Sequence, residues 1–65
     1  MKKQTDLRVL KNKQLIKSAF LELLSTKRFE DITVSQICQK ALINRSTFYF
    51  HYENKVELLE VIYID

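Results

Sequence analysis

The chain contains no glycine and no proline, so neither the free left-handed turns of glycine nor the fixed breaks of proline punctuate it. Element boundaries therefore have to be read from hydrophobic period and from capping side chains. A single cysteine, Cys38, excludes an internal disulfide and says little about compartment. With one histidine and one cysteine, no His/Cys metal cluster can be assembled within the chain, and no cofactor is expected. No apolar stretch approaches the roughly 18 residues of a membrane span, and the lysine-bearing start does not have the form of a secretory signal. A soluble, cytoplasmic protein is the expectation. No nucleophile is paired in sequence with an evident base and orienting group, which argues against an enzyme.

The 65 residues suffice for one small domain, which buries only about 60% of its unfolded surface and is marginally stable by itself. The apolar run Leu58, Leu59, Val61, Ile62, Tyr63 and Ile64 stops without a helix-ending signal, so the chain is expected to continue past Asp65. Charge is uneven. Residues 1–28 hold eight Lys or Arg against Asp6 and Glu22, a net +6, whereas the remainder is −3. A basic leading segment attracts nucleic acid or an anionic membrane surface, although a merely solvated helix face has the same composition.

The hydrophobic period is helical throughout. A first helix is predicted from about Leu7 or Leu10 to Thr26, with Leu15, Ile16, Ala19, Phe20, Leu23 and Leu24 on its apolar stripe. Lys27 to Ile32 breaks that pattern and offers Phe29 and Ile32 as plugs. Thr33, with Gln36 three residues on, is a capping box for a second helix whose Val34, Ile37, Cys38 and Ala41 share one buried face. Only Leu42 and Ile43 then intervene before Asn44, whose side chain is suited to cap a third helix by accepting from Ser46 or Thr47. So short a connection forces the two helices to cross steeply, as in a helix-turn-helix. Asn54 caps a fourth helix, with Glu57 placed to return a hydrogen bond.

The third helix, Arg45 to about Tyr52, carries the chemistry. Phe48 and Tyr52, one turn apart, are expected in the core, and Cys38 is read as a small buried apolar residue. Arg45 can fork onto guanine O6 and N7, or can be a solvated arginine in an unfavourable dipole position. Ser46 and Phe50 can touch base edges or a thymine methyl, and Ser35 can do the same or hold phosphate. Tyr49 and His51 can donate to phosphate oxygens without needing charge, or can pack in the core. Thr47 and Thr33 offer hydroxyls from first helical turns, with capping the equal alternative for Thr33. Lys55, beside free backbone amides, suits a phosphate. Lys2, Lys3, Arg8, Lys11 and Lys13 are read as a basic arm near the DNA or as a disordered start, with residues 1–10 as the arm and residues 11–65 as the domain.

The sequence Thr33, Ile37, Cys38, Ala41, Leu42, Ile43, Asn44, Thr47, Phe48, Tyr49, His51, Tyr52, Lys55 and Leu58 resembles, in residue type and spacing, the DNA-binding domain of the TetR family of transcriptional repressors. With the upstream helix the likeness runs from about Lys11 onward. It implies an all-α fold: a three-helix, homeodomain-like helix-turn-helix bundle and the start of a fourth helix. It also implies a double-stranded DNA operator as partner, residues about 45–52 in the major groove, and docking from Thr33 to Lys55. In that family a further portion of the chain binds the small-molecule inducer and forms the homodimer, so neither property is expected of this segment. Leu42 departs from the pattern, since the family places Gly there; a left-handed L-residue costs roughly 1 to 2 kcal/mol. Either Leu42 accepts that strain or the turn has another shape.

Two other classes compete. A helical protein-interaction module would dock through the apolar end of the fourth helix or the aromatic third helix. A basic amphipathic membrane-surface helix over residues 7–28 fits the charge but leaves the second half unexplained.

Overall fold

Ile16, Phe20, Ile32, Ile37, Phe48 and Leu58 have no exposed surface at all, and together they mark where every helix meets the core. The computed structural model describes residues 7–64. Among them are four α-helices, α1 (Leu7–Leu24), α2 (Val34–Ala41), α3 (Arg45–His51) and α4 (Lys55–Ile64), with a short 3₁₀ turn at Phe29–Asp31. No described residue is in a strand, so the all-α expectation holds.

Helix α1 sends Ile16, Ala19 and Phe20 into the core, with Leu23 and Leu24 packed at its margin. Leu15, expected on that stripe, is exposed instead. At about 100° per residue it sits roughly 90° from the stripe's centre, off the side that α2 and α3 cover. Residues 7–10 are helical and belong to α1 rather than to an arm; Lys2 and Lys3 lie outside the described residues. With no glycine to stop it, α1 ends on side chains and a tightening turn. Ser25 Oγ donates to the Glu22 carbonyl at 2.6 Å and the Lys27 N–H to that of Leu23 at 2.8 Å.

The Lys27–Ile32 connection inserts both apolar residues expected of it. Ile32 is buried, and Phe29 meets Phe20 edge to face with ring centroids 6.1 Å apart. The capping box of α2 is complete: the Gln36 N–H donates to Thr33 Oγ1 at 3.1 Å and the Thr33 N–H to Gln36 Oε1 at 3.2 Å. Ile37, Cys38 and Ala41 are buried as one face, with Val34 half-buried at its start. On the outside, Lys40 pairs with Glu22 of α1 at 3.0 Å.

Leu42 takes the left-handed conformation, φ 61° and ψ 44°. Its N–H donates to the Gln39 carbonyl at 3.3 Å, and the Ile43 N–H to that of Cys38 at 3.0 Å. These two bonds form a Schellman helix end, with Ile43 packed on the core beyond it. The turn thus keeps the shape a glycine would give, and Leu42 accepts the strain. Asn44 differs from expectation. Its side chain makes no capping bond, and α3 is closed by the backbone, with the Thr47 and Phe48 N–H groups donating to the Asn44 carbonyl at 3.0 and 3.2 Å.

Candidate nucleic-acid interface

Helix α3 has a buried stripe and three outer ones. Phe48 lies wholly in the core and Tyr52, which ends the helix, is almost as buried, with ring centroids 5.8 Å apart. Four-residue spacing then pairs Arg45 with Tyr49, Ser46 with Phe50, and Thr47 with His51 on successive faces. Arg45 and Ser46 are exposed, Tyr49 is about half exposed, and Phe50 is 79% exposed. Burying Phe48 and Tyr52 on α1 and α2 leaves that polar and aromatic edge outward.

The rings are held against one another. Tyr49 stands edge-on to Phe48 at 5.5 Å, and Phe50 edge-on to His51 at 5.1 Å. Such contacts restrict side chains that would otherwise lose rotamer freedom when they met a ligand. Burial, and then the positive charge of Lys13, hold the His51 pKa below the ordinary imidazole value. His51 is therefore neutral at pH 7, with one ring N–H to donate.

Thr33 and Ser35 are both exposed at the start of α2. Thr33 Oγ1 accepts the Gln36 N–H, which still leaves its own O–H proton to donate elsewhere. Capping and ligand contact are compatible at this residue.

Lys55 is not brought to that outer edge. Its ammonium donates to the Ile32 carbonyl at 2.6 Å and the Phe29 carbonyl at 2.7 Å, with the Glu30 carbonyl at 3.5 Å and the Phe29 ring centroid 4.5 Å away. Carbonyl oxygens around an ammonium compensate its loss of water much as phosphate oxygens would. At the start of α4, the Glu57 N–H donates to Asn54 Oδ1 at 2.9 Å, while the Glu57 carboxylate accepts from the Glu53 N–H, one residue earlier than expected.

A groove of about 270 Å³ runs between the first turns of α1 and the outer side of α3. From α1 it is lined by Arg8, Val9 and Asn12. From α3 it is lined by Ser46, Thr47, Phe50 and His51. Sequence reasoning named Arg8 only as part of an arm and missed Val9 and Asn12. The available signal was the four-residue spacing of Arg8 and Asn12, which puts both on one face of a helix. Among the described residues no group of His, Cys, Asp and Glu could hold a metal ion, and no helix is long and apolar enough to cross a membrane.

Comparison with known proteins agrees with this geometry. Residues 16–62 match the model of the family described as bacterial regulatory proteins, tetR family. An uncharacterized HTH-type transcriptional regulator of Bacillus subtilis (strain 168), YxbF, is 44% identical over 61 residues, covering 92% of this chain and 16% of its own. The HTH-type dhaKLM operon transcriptional activator DhaS of Lactococcus lactis subsp. lactis (strain IL1403) is 40% identical over 50 residues, 77% of this chain and 27% of its own. The chain thus spans about a quarter or less of the length of these relatives. No solved structure matches it. The helix-turn-helix of α2 and α3, together with the match over residues 16–62, makes this chain a member of the TetR family of bacterial regulatory proteins.

Proposed function

We propose that this chain binds double-stranded DNA in a sequence-specific manner, with α3 in the major groove, as the DNA-binding part of a dimeric transcriptional repressor. The observation that carries the proposal is the division of α3, which anchors itself through Phe48 and Tyr52 and leaves Arg45, Ser46, Tyr49 and Phe50 outward. Arg45 reads a guanine edge and Phe50 a thymine methyl, with Ser46 beside them. Tyr49, His51, Thr47, Thr33 and Ser35 donate to phosphates on either side, setting the register of the helix. Lys55 acts indirectly, holding the start of α4 against the 3₁₀ turn.

Repression is the simplest outcome of occupancy, because a protein seated on an operator excludes other proteins without any further contact. DhaS is named an activator, and activation needs an additional contact to the transcription machinery. Dimerisation and inducer binding are assigned to sequence outside this segment, and the operator is a palindrome with half-sites about 34–36 Å apart or a multiple of that.

The test is titration against duplex DNA at several salt concentrations. Affinity should fall with a slope of about −0.9 per neutralised phosphate in a double-logarithmic plot. Arg45→Ala with Tyr49→Ala should abolish sequence preference while the helical circular dichroism spectrum is kept. Absence of salt-dependent binding would turn attention to the exposed Phe50 and Tyr63 as protein-docking residues.

A further inference from the structure

We infer that the groove between α1 and α3 is a second contact point for DNA, taking a backbone phosphodiester through Arg8 and Asn12 of α1 and Thr47 and His51 of α3. This rests on the DNA-binding reading above and extends it to the first turns of α1, which precede the residues matched by the family model.

Two observations support it. The first is charge. From Leu7 to Leu21, helix α1 carries Arg8, Lys11, Lys13 and Lys17 and no acidic residue. So one-sided a run of charge gives this length of α1 a positive field. It suits a polyanion lying across that end. Lys13 acts electrostatically on His51, which brings the same positive field to the α3 wall of the groove.

The second observation is chemistry. The lining combines a guanidinium, a carboxamide, hydroxyls and an imidazole with the apolar surfaces of Val9 and Phe50. Donors suit phosphate oxygens, and the apolar surfaces suit the flanking deoxyribose. Ser46, Thr47, Phe50 and His51 belong both to this groove and to α3, so a strand bordering the major groove passes directly from one to the other. The contact is to backbone, so it is independent of sequence and adds affinity and register rather than base choice.

The experiment uses sonicated mixed-sequence duplex DNA, since a phosphate contact does not depend on the operator. Fluorescence anisotropy is followed from low to moderate salt for the parent chain, Arg8→Ala, Arg8→Lys, Asn12→Asp and the Arg45→Ala/Tyr49→Ala pair, with circular dichroism to verify helix content. Arg8→Ala should weaken binding roughly five- to tenfold and reduce the salt slope by about 0.9. Arg8→Lys should keep the slope, and Asn12→Asp, nearly isosteric but anionic, should weaken binding. Unchanged affinity and slope in both Arg8→Ala and Asn12→Asp, beside a weakened Arg45→Ala/Tyr49→Ala pair, would overturn the groove and leave α3 standing. A parent chain that binds no duplex removes both.

Discussion

The ammonium of Lys55, at the first residue of α4, donates to the carbonyl oxygen of Ile32 across a separation of 23 residues. Ile32 fills the core with its side chain while its backbone carbonyl, with that of Phe29, faces the ammonium. One lysine thereby fastens α4 to the connection between α1 and α2. Lys55→Met keeps the aliphatic stem but leaves part-buried carbonyls without their charged donor. Hydrogen bonds to charged groups contribute about 1.5–3 kcal/mol, so a loss of that order is expected. Thermal denaturation checks it; a midpoint within 2 °C or so of the parent would show that water replaces the ammonium without cost.

Leu42 combines a left-handed backbone with a side chain that is 90% exposed, so nothing in its packing offsets the strain. Leu42→Gly removes the steric cost of roughly 1–2 kcal/mol but adds freedom to the unfolded chain, worth about 0.4–1 kcal/mol. The net expectation is a gain of about 0.5–1 kcal/mol, or a midpoint higher by several degrees in a domain of this size. Leu42→Ala is the control, since it keeps the Cβ and should gain little. If Ala and Gly raise the midpoint equally, the cost lies in the exposed leucyl group and not in the backbone.

These two residues also show how far sequence could be read. The helices, the Thr33–Gln36 box and the burial of Phe48 and Tyr52 follow from spacing within one or two helical turns, and spacing is visible in a sequence. Leu42 was legible in part: its position in the pattern marked a left-handed site, but whether leucine would accept it depended on the hydrogen bonds of Leu42 and Ile43 to α2. Asn44 differs because the Thr47 N–H, one of the two donors expected for its side chain, goes to its backbone carbonyl instead. The surroundings of Lys55 were invisible, since its acceptors lie 23 to 26 residues away and are backbone atoms without sequence identity. The α1 wall of the groove was legible in part: spacing puts Arg8 and Asn12 on one face of a helix, but only the packing of α1 on α3 makes that face line a groove with His51.

Cys38 is buried in the core, and burial raises its thiol pKa despite an opposing effect from the Arg45 guanidinium. A protonated, inaccessible thiol is a poor nucleophile. In native conditions it should react with a disulfide reagent only through opening of the domain, at a rate that climbs with added denaturant. Cys38→Ala should cost less than Cys38→Ser, which adds a buried hydroxyl needing a partner at about 1–3 kcal/mol. Labelling as fast as a model thiol in the absence of denaturant would mean that the α1–α2 interface opens freely.

His51 gives a pH signature with opposite signs in folding and binding. Its folded pKa is depressed, first by burial and then by Lys13, so the fold prefers the neutral ring. The unfolded chain takes up a proton first, near the ordinary value of about 6.5, and stability is lost as pH falls from there through the folded pKa. His51 is the single histidine, so the part of the thermal midpoint's pH dependence that disappears on its replacement belongs to it. His51→Gln, neutral at every pH, should flatten that slope. Under the proposed DNA contact the preference reverses. A phosphate beside the imidazole favours the charged ring and raises its pKa, so affinity for duplex should increase over the same interval in which free-protein stability declines. In the His51→Gln variant both trends should shrink together. If the variant loses the stability trend but keeps the full gain in affinity at low pH, the phosphate does not lie at His51.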